Sequence, residues 1–245
     1  LKIDLFLARS EIKSDQVTDR LAVIIDVWRA SSSIITALAN GCQAVIPVAE
    51  VAAARELAQQ YPSGTVLLAG ERNELPIPGF DLSNSPFDYQ SDRVRERRII
   101  FTSTNGAQLF DAARSARTIV VAGFLNVSRI CDLILARQLD VALLCAGKNA
   151  QFGLEDAVCA GMIIRKVSQR ASHPHQFDLN DGAQAAQILY DHFAHDLSKM
   201  IYQASHGRRL MELGQMQDLL HAIAVDALGI IPIMKDGELV SLDEN

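Results

Sequence analysis

Asp26 and Arg29 stand three positions apart, directly after the apolar run Leu21–Ile25 and directly before three serines, Ser31, Ser32 and Ser33. A carboxylate can attack phosphorus or take a proton from water, and a guanidinium offers a planar fork of donors to phosphoryl oxygens. The free amides of a helix start add further donors for an anion. Together they point to a phosphate, or to a phosphate bridged to a metal. Arg29 also has a plainer reading, as a clamp that holds Asp26.

Similar groups recur after the other apolar runs. Residues 65–69 lead into Glu71 and then into a long loop with Asp81, Asn84 and Ser85; residues 98–101 lead into Thr104, Asn105 and Gly106. Residues 141–144 lead into Cys145, with Glu155 and Asp156 a short distance beyond. The expected phosphate-binding set is Arg29, Ser31, Ser32, Asn84, Ser85, Thr104, Asn105 and Gly106. Hard oxygen ligands beside a phosphate suit Mg²⁺, and Glu71, Asp81 and Asp156 are its expected ligands. Glu155 and Asp156 could instead complement the positive end of the helix they begin. Asp26 is the preferred nucleophile or general base. Cys145 competes with it, although no arginine stands nearby to favour a thiolate.

Commoner phosphate chemistries do not fit the spacing. There is no Gly-Lys-Ser/Thr loop, no arginine six residues after Cys145, no second aspartate two residues after Asp26 and no His-Glu-x-x-His helix. The four cysteines are scattered without a Cys-x-x-Cys pair, so they read as reduced thiols and not as a zinc site or disulfide framework.

The elements that must position these groups follow from periodicity. Each apolar run reads as an interior strand with polar residues after it, which is how an open α/β sheet places a site at its carboxyl edge. Helices are expected over 31–40, stopped by Gly41, and over 107–113. A further helix begins at Asn126, and one long amphipathic helix spans 184–203, with Ile188, Leu189, Phe193, Leu197 and Ile201 on its packed face. Two short helical pieces near 207–213 and 217–224 precede a last strand at 230–234 and a turn at 235–238. His192, His195, His206 and His221 read as surface or interface residues of these helices. The expected fold is one α/β domain over 1–245: a three-layer α/β/α sandwich with a mainly parallel or mixed sheet. A helical segment at about 178–228 packs on it, beyond a composition shift at 171–178.

With 245 residues, a net charge of −6 and 49% hydrophobic residues, the chain is long enough for a large core and unsuited to a nucleic-acid surface. Arg93, Arg95, Arg97 and Arg98 are interleaved with Asp92 and Glu96, as on a solvated face. No apolar run reaches the roughly 18 residues of a membrane span. The first residues, Leu1 to Phe6, alternate like a strand and lack the features of a signal peptide, so a cytoplasmic address is the expectation. The expected partner is a small anionic phosphorylated substrate, and the tail helices leave room for a homo-oligomer. A non-catalytic sensor of a small phosphorylated or sulfonated acid would use the same loops without turnover, whereas a scaffold built on the tail helices would rest on an apolar face over 184–203 and not depend on Asp26.

In sequence order, Ile25-Asp26-Val27-Trp28-Arg29-Ala30-Ser31, Gly70-Glu71-Arg72, Asp81-Leu82-Ser83-Asn84-Ser85-Pro86, Thr102-Ser103-Thr104-Asn105-Gly106, Cys145-Ala146-Gly147 and Glu155-Asp156 with Gly161 form a series of motifs. With Ser205, Gly207, Leu210, Gly214, Asp218 and Asp226, the series resembles the 2-phosphosulfolactate phosphatase family over nearly the whole chain. The resemblance implies an α/β/α fold and a Mg²⁺-dependent acid phosphatase that releases phosphate from 2-phospho-3-sulfolactate in the coenzyme M pathway. Trp28, Ser83, Ser103 and Ala222 depart from the family's usual Leu, Gly, Thr and Cys. Of these, Trp28 is the change expected to reshape the substrate pocket.

Overall fold

The computed structural model describes residues 1–149, 151–171 and 177–242. Most of the composition shift expected at 171–178 therefore lies outside the described residues. The strands, in chain order, are β1 Lys2–Phe6, β2 Leu21–Ile25, β3 Ala44–Pro47, β4 Val66–Arg72, β5 Leu75–Pro76, β6 Arg98–Thr102, β7 Thr118–Ala122, β8 Val141–Cys145, β9 Asp178–Leu179, β10 Pro232–Lys235 and β11 Glu238–Ser241. The helices are α1 Ser32–Ala39, α2 Val51–Ala58, α3 Ser91–Val94, α4 Ala107–Ala112, α5 Val127–Arg137, α6 Leu154–Arg170, α7 Asp181–Phe193, α8 Ser198–Gln203, α9 Ser205–Glu212 and α10 Met216–Ala222.

The strands form one mixed sheet in the order β5-β4-β6-β3-β11-β10-β7-β2-β8-β1-β9. Two parallel blocks, β4-β6-β3 and β7-β2-β8-β1, flank the antiparallel hairpin β10–β11. Because β10 runs antiparallel to β7 and β11 antiparallel to β3, the blocks run in opposite directions across the hairpin. The turn read at 235–238 is the one that makes this hairpin, through Asp236 and Gly237 with φ 51° and 85°.

Side-chain alternation explains the layers. Val23 and Ile25 of β2 and Leu143 of β8 face a core shared with α5, α6 and α7, while Ala22, Ile24 and Leu144 face α1. From the other block, Val45, Leu67, Ile99 and Phe101 join Ile34, Ala37 and Leu38 of α1 in that second core. On the far face, Ile46 and Ile100 pack on Ala54 of α2. The sheet thus curls around α1, which is buried from Ser32 through Leu38. The α/β architecture with helices on both faces of a mixed sheet is the expected one.

The tail differs from expectation in three respects: β11 follows the strand expected to be last, the long helix is broken, and one of its packed residues is exposed. The long helix breaks into α7 and α8, because Asp196 Oδ1 accepts from Ser198 N at 3.0 Å and from Ser198 Oγ at 2.6 Å, a local turn that competes with the helical ladder. Ile188, expected on the packed face, is 70% exposed. Helix α7 lies so close to α6 that a Cβ at Gly161 would sit 2.0 Å from the Ala186 carbonyl oxygen.

Candidate active site

The carboxyl ends of the two blocks meet at one cavity of about 350 Å³. Asp26 follows β2, Glu71 lies in β4 and Thr104 and Asn105 follow β6; all four line it, together with Trp28, Arg29, Asn73, Glu74 and Asn84. Lys148 and Asn149 come from the loop after β8, and His206, Arg209 and Leu210 come from α9. Twist accumulates across the strands of a sheet, so two opposite-running blocks can present their carboxyl ends to a common space. The structure therefore brings together Asp26, Arg29, Glu71, Asn84, Thr104 and Asn105, as the strand-then-polar pattern implies.

Asp26 stands at the turn Val27–Ser31 that leads into α1. Its amide donates to Ser31 Oγ at 2.9 Å, and Ser31 N closes the turn onto the Asp26 carbonyl at 2.8 Å. Gly106 allows the start of α4 to come in close, since a Cβ there would lie 2.5 Å from Asp26 Oδ2. Burial pushes the Asp26 carboxyl up to about 7; His206 pulls it down, while Glu71 and Glu155 push it further up. A carboxyl titrating near neutrality inside a cavity is suited to proton transfer.

Glu71 organises the opposite wall. Its Oε1 accepts from Thr104 N at 2.6 Å, and its Oε2 accepts from Thr104 Oγ1 at 3.0 Å and from Glu74 N at 2.7 Å. Strand β4 runs past the apolar residues 65–69 through Glu71 and Arg72 and hairpins into β5. Asn105 Oδ1 accepts from Asn149 N at 3.1 Å and so joins the β6 and β8 loops.

Arg29 is a clamp, but not on Asp26. Its Nη1 donates to Asp218 Oδ2 of α10 at 2.9 Å, and Ser85 Oγ donates to Asp218 Oδ1 at 2.7 Å. Arg29 Nη2 also reaches the Glu74 carbonyl at 3.3 Å. The guanidinium still lines the cavity, so the ion pair fixes it in place for an anion.

Several expected site residues fall elsewhere. Ser31 and Ser32 hold the turn: Ser32 Oγ donates to the Val27 carbonyl at 2.9 Å, and neither serine lines the cavity. Ser85 is spent on Asp218, and Gly106 lies behind Asp26. Asp81 is exposed, turned away by the bridge between Ala69 and Leu82, and its Oδ2 caps Leu68 N at 2.8 Å. Asp156 is buried behind the site, with Oδ1 on Val27 N at 2.8 Å and Oδ2 on Gly147 N at 2.9 Å. Burial, Glu155 and Asp26 raise its carboxyl against these two amides. Among the described residues, then, no cluster of three or more His, Cys, Asp or Glu side chains is arranged to hold a metal, and Glu71, Asp81 and Asp156 do not form one.

Cys145 stands apart from the cavity. It ends β8, pairs with Ile25, is fully buried and does not reach the cavity. Burial raises its thiol well above the ordinary range, with Asp156 adding to the effect.

The sequence did not single out the charged groups centred on Glu74, beside Arg29. Glu74 Oε1 meets Lys148 Nζ at 2.7 Å and Glu74 Oε2 meets Arg209 Nε at 3.2 Å. His206, expected at a surface or interface, is buried with Nδ1 2.7 Å from Glu155 Oε1. Two buried polar atoms of the lining, Trp28 Nε1 and Asn84 Oδ1, lack a partner among the described residues. A ligand in the cavity would supply one.

Comparison with known proteins bears on what that ligand is. Residues 6–237 match the family model described as 2-phosphosulpholactate phosphatase. A protein of Caldanaerobacter subterraneus subsp. tengcongensis is 37% identical, covering 93% of this chain and 93% of its own length. One from Symbiobacterium thermophilum is 36% identical over 94% of this chain and 97% of its own. One from Clostridium acetobutylicum is 35% identical over 98% and 100%. Each of the three bears the name "Probable 2-phosphosulfolactate phosphatase".

Proposed function

The chain belongs to the 2-phosphosulpholactate phosphatase family, and from that premise we propose that its cavity hydrolyses 2-phospho-3-sulfolactate, or a closely related phosphorylated organic acid, to the hydroxy acid and phosphate. One observation carries this reading: Asp26, a buried carboxyl raised by burial, shares a cavity with three basic side chains, Arg29, Lys148 and Arg209. In this account Asp26 is the general base that takes a proton from the attacking water. Burial keeps this carboxyl more basic than an ordinary aspartate, which suits it to accept that proton. Arg29, held by Asp218, meets the phosphoryl oxygens as charge shifts among them. Lys148 and Arg209, held by Glu74, receive the substrate's other acidic groups.

The charge of the lining bears on the cofactor. Asp26, Glu71 and Glu74 offset Arg29, Lys148 and Arg209, so a multiply anionic ester enters a wall with little net positive charge. The cavity also holds oxygen donors of the kind a hard cation takes: the Glu71 carboxylate, which now accepts from Thr104 and the Glu74 amide, and Asn84 Oδ1, unpartnered among the described residues. These residues would hold Mg²⁺, which when bound supplies positive charge against the phosphoryl oxygens. Among the described residues no helix is long and apolar enough to cross a membrane. The free cysteines, all buried, fit the cytoplasmic setting we assign, where a sulfolactate product would serve coenzyme M biosynthesis.

Phosphate release from a panel of small organic phosphates, with Mg²⁺ and with chelator, tests the reading. We expect turnover of the sulfonated ester, lost on chelation and restored on adding the metal back. Ligand-induced stabilisation without phosphate release would make the protein a sensor.

A further inference from the structure

Glu155 lies in the first turn of α6 and is 2% exposed, and its Oε1 is 2.7 Å from His206 Nδ1. The Glu155 contact occupies Nδ1 and leaves Nε2 as the ring nitrogen free to meet a ligand. Nε2 is 3.7 Å from Glu74 Oε1, beyond hydrogen-bond reach, on the side of the imidazole that lines the cavity. The ring is held edge-on to the Trp28 indole with centroids 6.1 Å apart. The next residue, Gly207, admits no side chain, because a Cβ would lie 2.2 Å from the Ile201 carbonyl oxygen and 3.0 Å from Trp28 Cζ3. The start of α9 is therefore pressed against α8 and Trp28, and the imidazole has little freedom to turn.

Hydrolysis of an alkyl phosphate needs more than a base for water. The departing alkoxide is a poor leaving group, and a positioned acid lowers that barrier by the factor of about 10² to 10⁴ typical of general acid catalysis. Asp26 is committed to the attacking side. His206 shares the cavity with it, and among the described residues its Nε2 has no hydrogen-bond partner.

Resting on the phosphatase reading above, we propose that His206 is the catalytic acid that protonates the leaving oxygen, and that Glu155 is its positioning residue. As the bond between phosphorus and the ester oxygen breaks, its electron pair stays on that oxygen, which takes the proton from Nε2. The water that attacks phosphorus gives its proton to Asp26. Afterwards Asp26 loses a proton to solvent and His206 regains one, so the products are the hydroxy acid and phosphate with both residues restored.

The test compares leaving groups. Wild type, His206→Gln, His206→Asn and Glu155→Gln, each checked for native melting behaviour, are assayed with an alkyl ester, 2-phospholactate, and with p-nitrophenyl phosphate, whose leaving group needs no proton. We expect kcat on the alkyl ester to fall about 100-fold or more in both His206 variants and less in Glu155→Gln. On the aryl ester all three should lose less than about tenfold. Equal losses on the two esters in folded variants would overturn the assignment and make His206 a phosphate-binding or structural residue. A wild type inactive on every ester would instead overturn the phosphatase reading on which the assignment rests.

Discussion

Arg29 and Asp218 meet at 2.9 Å although 189 residues separate them, and their side chains are only 4% and 7% exposed. The contact ties the turn after β2 to α10, the last helix of the tail. It makes the arginine both a structural partner and a preset ligand.

That double role can be separated by substitution. Asp218→Ala leaves a buried guanidinium without its counter-charge and should cost about 3–5 kcal/mol, read as a lowered denaturation midpoint. Arg29→Lys keeps a charge for Asp218 but loses the planar fork. It should slow turnover by roughly 30-fold to 1,000-fold, equivalent to about 2–4 kcal/mol of transition-state contact. A normal rate with a lowered melting temperature would reduce Arg29 to a clamp.

Glu74 competes with substrate for Lys148 and Arg209. Glu74→Gln should therefore lower KM for a multiply anionic ester by about fivefold, the factor for ~1 kcal/mol, with kcat changing less. The effect should shrink at high salt, since the pair is only partly buried. A raised KM would show that Glu74 positions the cations instead of masking them.

Asp26 also sets a pH dependence of stability. In metal-free buffer its carboxyl would titrate near 3.8 when unfolded and near 7 when folded. Between those values the native state holds the extra proton, so stability falls as pH rises through the window and levels off above 7. Asp26→Asn removes this loss. Its melting temperature should exceed the wild type's by a margin that grows from pH 5 to pH 8, on the order of a few kcal/mol at most. A margin independent of pH would show that the carboxyl is not raised.

How much of this was legible in the sequence depends on the reach of each contact. The run Leu21–Ile25 and the acid after it announced β2 and Asp26, because strand burial and the placement of polar residues at a strand end are local facts. Thr104 and Asn105 were legible for the same reason. Asp156 was misread as a metal ligand because the amides that occupy it belong to Val27 and Gly147, brought near only by the sheet. Lys148, Arg209 and His206 carry no local signature; a single histidine or arginine on a short helix looks like surface until its partner is known. The reversal between the sheet's two blocks was hidden too, since it depends on where the hairpin β10–β11 inserts and not on any residue pattern within the blocks.

The central claim is that Asp26, and not the buried Cys145 thiol, carries the chemistry. Turnover of 2-phospho-3-sulfolactate and stabilisation by the product acid should be measured side by side on Asp26→Asn and Cys145→Ser. Asp26→Asn should release no phosphate yet still be stabilised by ligand, because it keeps the size of the side chain and loses only the charge that accepts a proton. Cys145→Ser should remain substantially active. An active Asp26→Asn beside a folded but inactive Cys145→Ser would contradict the account and move the nucleophile to the thiol.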